Sequence, residues 1–260
     1  MRRNPIRERW SRGEAASNLW IDIGWPVTVE ALGRLQYDSY TVDLQHSLID
    51  RSVLVSLFQA LSLGNGAPMV RVTQNDPGEI AFVLDAGAYG VICPTMETAE
   101  QCRAFVAACE YPPRGVRSWG PTRGVMYGGA DYFENYRNEI LTIALIETAE
   151  GIRNLDAIAS VPGLDMVYLG PNDLGARAAA LLCTAQCRRC GLSGVPRCAE
   201  FFARGEFTQQ RIGRGEYGRL PLAVAQECRA QLALHARWAV HLTRAGRGVL
   251  RQRHPGGRGA

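Results

Sequence analysis

Apolar runs of strand length recur along the first 177 residues: NLWIDIG (18–24), YDSYTVDLQH (37–46), PMVRV (68–72), GVICP (90–94), LTIALIE (141–147) and DMVYLG (165–170). The intervals between them carry a different period. In DRSVLVSLFQALSLG (50–64), Val53, Leu54, Leu57, Phe58 and Leu61 fall on one stripe of a 3.6-residue helix. PVTVEALGRL (26–35) places Pro26 where a first helical turn tolerates it. NDPGEIAFVLDAG (75–87) has an Asn/Asp start, Pro77 in its first turn and Gly87 as a stop. METAEQCRAFVAAC (96–109) and AEGIRNLDAIASV (149–161) read the same way. Repeated strand–helix units predict an α/β protein with a parallel sheet. Six of them amount to most of a (β/α)8 TIM-type barrel.

One interval departs from the pattern. Residues 111–140 form a long Gly/Pro/Arg/Tyr-rich segment, read as a functional loop or a surface loop. The length of 260 residues suits one large domain, and 47% hydrophobic residues support a substantial core. No apolar run approaches the roughly 20 residues of a spanning helix. MRRNPIRERW (1–10) has no apolar stretch behind it, so no signal peptide is visible. A cytoplasmic protein with reduced thiols, not bound to membranes, is the expectation.

The polar residues at the ends of the apolar runs carry the chemistry. His46 ends the second run and Arg71 the third, while Glu147 and Asp173 close the fifth and sixth. In a parallel α/β protein, the carboxyl edge of the sheet is where sites are built. Two carboxylates from neighbouring strand ends suit Mg²⁺ or Mn²⁺ better than zinc. Such a metal would chelate a 2-oxo acid and stabilise an enolate. Arg71 adds planar donors for the same oxygens, and His46 a proton carrier near neutral pH. The set fits enolate formation or retro-aldol cleavage.

Six segments taken together resemble one family: DLQHSLID (43–50), PMVRVTQND (68–76), LDAGAYGVICP (84–94), YPPRGVRSWG (111–120), LIETAEGIRNLDAIASVPGLD (145–165) and YLGPNDLG (168–175). They are similar to the class II, metal-dependent pyruvate aldolases of the HpcH/HpaI family, over about residues 5–177. The resemblance implies a (β/α)8 barrel of the phosphoenolpyruvate/pyruvate type. It implies cleavage of a 4-hydroxy-2-oxo acid to pyruvate or a relative plus an aldehyde. By the same resemblance, Glu147 and Asp173 ligate Mg²⁺ or Mn²⁺, with Co²⁺ also compatible. Arg71 binds the pyruvate moiety and His46 transfers a proton. Asp85, which alone would read as a helix-end surface residue, approaches the histidine of a neighbouring subunit in a homo-oligomer. Gly170, Pro171 and Asn172 contact substrate in the turn carrying Asp173. Two positions depart from the family pattern: Gln45 replaces a carboxylate beside His46, and Leu145 stands where several members place Gln. A citrate-lyase-like or malyl-CoA-lyase-like carbon–carbon lyase is the alternative, with Arg114, Arg117 and Arg123 available for CoA phosphates. An inactive product with an intact site is another.

The chain changes character at about residue 177. Residues 1–177 hold 15 Arg against 21 acidic residues, whereas 178–260 hold 14 Arg against 4 and no Asp. The domain reading is therefore an aldolase domain over 1–177 and an Arg/Cys-rich tail over 178–260, where only 221–242 is helix-like. A zinc site on Cys183, Cys187, Cys190 and Cys198 has poor ligand spacing. A basic nucleic-acid arm is a weaker reading than a shifted reading frame, which would leave the last two β/α units aberrant or missing. The chain has no Lys, as a GC-rich gene would give.

Overall fold

The computed structural model describes residues 1–175 and 250–252. It divides into two compact units, Met1–Gly170 with Gly246–Ala260, and Pro171–Ala245. In the first unit the chain runs α1 (Pro5–Ser11), β1 (Ala16–Ile21), α2 (Pro26–Gly33), β2 (Ser39–Asp43), α3 (Arg51–Leu61), β3 (Ala67–Arg71), α4 (Pro77–Asp85), β4 (Gly90–Cys93) and α5 (Ala99–Cys109). It continues with α6 (Thr122–Gly128), α7 (Tyr132–Glu139), β5 (Leu141–Ile146), α8 (Ala149–Arg153), α9 (Leu155–Ala159), β6 (Met166–Leu169) and β7 (Leu250–Gln252). Among the described residues the strands form one parallel sheet in the order β6-β5-β4-β3-β2-β1-β7.

All six expected strands and the helices between them are present, and α3, α4 and α5 carry side-chain caps at their starts. Asp50 accepts from the Ser52 and Val53 amides at the start of α3. Asp76 caps α4, and Thr98 with Gln101 forms a full capping box on α5. The segment expected as one long loop instead contains α6 and α7. The single helix expected over 149–161 is split at Asn154 into α8 and α9.

The sheet has two apolar faces. Val42, Val70, Val91, Ala144 and Ile146 pack outward against Leu54, Phe58, Ile80, Val83 and Phe105 of the helices. Met69, Ile92, Leu141, Ile143, Leu145 and Met166 face the other way and gather with Ile6 of α1. Asn4, the cap of α1, donates through Nδ2 to the carbonyls of Tyr89 (3.1 Å) and Glu139 (2.7 Å), so α1 plugs the amino edge of the sheet. Trp20 of β1 stacks on Tyr168 of β6, with ring centroids 6.0 Å apart. Four strands lie between those two in the sheet order, so the sheet is curled until its inner faces meet. The described architecture is a parallel α/β half-barrel. Expectations for the Cys183–Cys198 cluster, the helix over 221–242 and the last two β/α units lie outside the described residues.

Candidate active site

Strand register brings the polar groups to one edge. Ile21 pairs with Val42, and Asp43 pairs with Arg71. One residue on, Asp22, Asp43 and Arg71 therefore stand level on three adjacent strands, at their carboxyl ends. Trp20 and Thr41 lie one pleat below on the inner face. Glu147 follows β5 directly, and Gly170 follows β6.

Asp43 is the hub of the β2 end. It is 1% exposed. Its carboxylate accepts from Arg71 Nε at 2.8 Å and also from Arg71 Nη2, a bidentate ion pair. It accepts from Trp20 Nε1 at 3.3 Å, the Gln45 amide at 2.9 Å and the His46 amide at 3.4 Å. Burial pushes the Asp43 pKa up, but the Arg71 contacts outweigh it and the net shift is downward. Arg71 also lies 4.9 Å from the centroid of Trp20, so an aromatic floor backs the guanidinium. With Nε and Nη2 turned to Asp43, Nη1 makes no hydrogen bond with a described residue. Asp43 lies in the DLQH segment, and only the β2–β3 register sets it opposite Arg71.

His46 lies three residues beyond β2 rather than on it, exposed on a loop folded over Asp43. The neighbouring Gln45 keeps its amide oxygen buried, with no hydrogen-bond partner among the described residues. Asp22 is exposed, and desolvation and Asp43 raise its pKa against the pull of Arg71 and His46.

Glu147 is buried at 6% exposure. Its Oε1 accepts from the Thr95 amide at 2.8 Å and the Thr95 hydroxyl at 2.9 Å. Thr95, between β4 and α5, has φ +52°. For a β-branched residue the left-handed region is an outlier costing about 1–3 kcal/mol. Oε2 takes no hydrogen bond from a described residue and faces Gly170, where an added Cβ would come within 3.2 Å. Thr148, the next residue, caps α8 through the Gly151 amide and fixes the backbone that carries Glu147.

Two expected placements need correction. Asp173 does not end the sixth strand: β6 stops at Leu169, and residues 171–175 are helical in the second unit, with Pro171, Asn172 and Asp173 exposed. Arg117 and Arg123 do not offer themselves to CoA phosphates. Arg117 is buried, donating to Asp85 Oδ1 at 2.7 Å and to Tyr132 Oη at 3.2 Å. Arg123 donates to the Ala86 carbonyl at 2.8 Å and to Ser62 Oγ at 2.7 Å. Asp85 closes α4, which runs back from the β3 end, so it sits at the opposite edge of the sheet from this chain's His46.

The donor chemistry at the carboxyl edge fits a hard cation. Asp22, Asp43 and Glu147 outnumber Arg71 in charge, and Glu147 Oε2 takes no hydrogen bond from a described residue. Neither feature favours an anionic substrate without an added positive charge. No group of three or more His, Cys, Asp or Glu side chains gathers as a metal cluster among the described residues. The two-carboxylate expectation does not call for one.

The chain is similar to known proteins in sequence and in fold. The family model described as HpcH/HpaI aldolase/citrate lyase covers residues 16–181. The chain belongs to that family. A hydroxypyruvate/pyruvate aldolase from Rhizorhabdus wittichii is 40% identical over 171 residues, covering 66% of this chain and 68% of the relative. A 5-keto-4-deoxy-D-glucarate aldolase from Shigella boydii is 36% identical over 175 residues, with the same coverage. Among solved structures, an HpcH/HpaI aldolase/citrate lyase family protein from Burkholderia cenocepacia superposes with a TM-score of 0.63 at 26% identity, covering 77% of this chain and 78% of that one. Membership accounts for the order of the motifs along the half-barrel. Among the described residues, no helix is long and apolar enough to cross a membrane.

Proposed function

We propose that this member of the HpcH/HpaI family is a divalent-metal-dependent pyruvate aldolase on a (β/α)8 barrel. It cleaves a 4-hydroxy-2-oxo acid to pyruvate, or a related 2-oxo acid, and an aldehyde. The observation that carries the reading is the pairing of an oriented Arg71 fork with the buried, half-satisfied Glu147 carboxylate at one sheet edge. The aldolase names of the 36–40% identical relatives support it.

In this reading Glu147 and Asp173 hold the metal, as the motif order implies, and Mg²⁺, Mn²⁺ or Co²⁺ suits them. When bound, such a cation polarises a carbonyl as a Lewis acid. The chain's own residues do the rest. Arg71, locked by Asp43 and backed by Trp20, presents its free edge to the developing oxyanion without reorganising. His46, exposed above Asp43, takes the proton of the 4-hydroxyl as the C3–C4 bond breaks and the aldehyde carbonyl forms, and a proton returns to C3 of the enolate to complete the 2-oxo acid. Asp85 reaches the histidine of a second copy in a homo-oligomer. The backbone of Gly170, Pro171 and Asn172 lines the 2-oxo acid.

The test is turnover of 4-hydroxy-2-oxo acids by metal-stripped and Mn²⁺-restored protein, beside Glu147→Gln and Asp173→Asn. Restored turnover that both variants abolish is the expected result. Full turnover in EDTA ends the reading. Turnover of acyl-CoA thioesters in place of free acids would favour the citrate-lyase-like alternative, which the internal engagement of Arg117 and Arg123 argues against.

A further inference from the structure

We propose that Thr95 is a positioning residue for Glu147, holding that carboxylate so that one oxygen is committed to the protein and the other is offered to a divalent cation. The inference rests on the aldolase reading for the cation, and on Thr95 itself for the rest. Three observations converge on it. Thr95 donates twice to the same oxygen, Oε1, through its amide at 2.8 Å and its hydroxyl at 2.9 Å. It does so from φ +52°, a conformation that threonine rarely adopts. And it is solvent-exposed, so no burial of its own methyl accounts for the strain.

The flanks keep the residue there. The Met96 amide donates to the Leu145 carbonyl at 3.0 Å, which ties the 94–96 loop to the end of β5. On the far side, a Cβ on Gly151 would stand 2.6 Å from the Met96 carbonyl, so α8 packs its glycine directly on that loop. The loop, β5 and α8 thus form one rigid corner around Glu147. A carboxylate with two donors on one oxygen cannot rotate to share both oxygens without losing them. Outer-shell partners of this kind orient ligands, and their loss typically weakens metal binding about 10–100-fold.

The test uses the full chain, stripped of metal, and titrates Mn²⁺ while free Mn²⁺ is followed by electron paramagnetic resonance. Thermal melts are recorded on the metal-free protein in parallel. Thr95→Val keeps the shape and removes the hydroxyl; it should bind Mn²⁺ roughly tenfold more weakly than the parent. Thr95→Ser restores the hydroxyl and should bind like the parent. Thr95→Gly accepts a positive φ freely, so it should melt higher than the parent when metal-free yet bind Mn²⁺ as weakly as Thr95→Val. A residue with a merely structural role would change the melts and leave the Mn²⁺ affinity alone. Parent-like affinity in Thr95→Val therefore overturns the proposal while leaving the metal at Glu147 in place. Glu147→Gln separates the two failures. If the parent binds no Mn²⁺, or binds it equally well after Glu147→Gln, the metal reading falls and the role of Thr95 falls with it.

Discussion

Arg71 and Asp43 form one bidentate ion pair. Two donors of the guanidinium go to the carboxylate and the ring of Trp20 covers one face, so only a planar fork fills the place. Arg71→Lys keeps the charge and loses the fork. The expected loss is about 10²–10³ in kcat, the scale for one preorganised donor. Deuterium exchange into the methyl group of pyruvate measures it, and unchanged exchange would remove Arg71 from the site. Asp43 makes a separate prediction for stability. Its folded-state pKa is depressed, so its contribution is present above the unfolded value of about 3.9 and is lost as pH falls through the folded one. Asp43→Asn should cost about 3–5 kcal/mol near neutral pH, because Arg71 is left without its counter-charge. The acid-side slope should also be shallower than in the parent, and urea midpoints taken from neutral pH down to about pH 3 would show both. At this scale the strand-end placement of Arg71 and Glu147 was legible, since each is a charged residue closing an apolar run. Thr95 was not legible, because nothing in a threonine announces a left-handed φ. Asp43 was legible as a motif letter but not as a partner, because the pairing depends on a strand register that no single strand encodes.

The turns that follow the strands are as specific as the side chains they carry. Gly170 brings the end of β6 against the end of β5, with its amide on the Ile146 carbonyl at 2.9 Å. A Cβ there would lie 2.9 Å from Glu147 Cβ and 3.2 Å from Leu145 Cδ1. Gly170→Ala should therefore push Glu147 off its Thr95 contacts. The expected result is a loss of about 1–3 kcal/mol in stability, as for other overpacked sites, together with weaker metal-dependent turnover. A variant with parent-like melting and turnover would mean that the β5–β6 corner is looser than these distances imply. The strands and long helices were readable because burial imposes a period on them, and their caps were spelled out at Asp50, Asp76 and Thr98. α6 and α7 were not. TRGVMYG begins without a side-chain cap and contains two glycines, and YFENYRNE also begins without one. These helices are held by tertiary contacts between residues far apart in sequence, Tyr127 of α6 against Tyr89 with ring centroids 5.1 Å apart, and in α7 Tyr136 on Glu110 at 2.8 Å and Tyr132 on Arg117.

At the scale of the molecule, the family match and the charge pattern change together. The family model ends at residue 181, and the acidic, motif-rich composition gives way to one rich in Arg and Cys at about residue 177. One short piece of the later sequence has a described place: Leu250–Gln252 pairs in parallel with β1 through Ala16–Asn18. Three residues are a small seam beside β1–β2 or β2–β3, and the sheet order leaves β6 and β7 as its ends among the described residues. Unpaired strand ends and a curled apolar interior are liabilities unless further strands cover them. A change of reading frame would account for the compositional switch, since out-of-frame GC-rich codons give Arg, Ala, Gly, Pro and Cys but no Asp. The expected outcome is that DNA around codons 174–182, translated in the other two frames, continues as a family-like strand–helix–strand–helix sequence. The chain carrying that continuation should express in higher soluble yield and melt at a higher temperature than the chain as it stands, because its added strands would pair with the sheet ends. If no frame yields such a continuation, and the 260-residue chain unfolds in one cooperative transition with a closed eight-stranded barrel, then residues 178–260 are authentic and the frame-shift account is wrong.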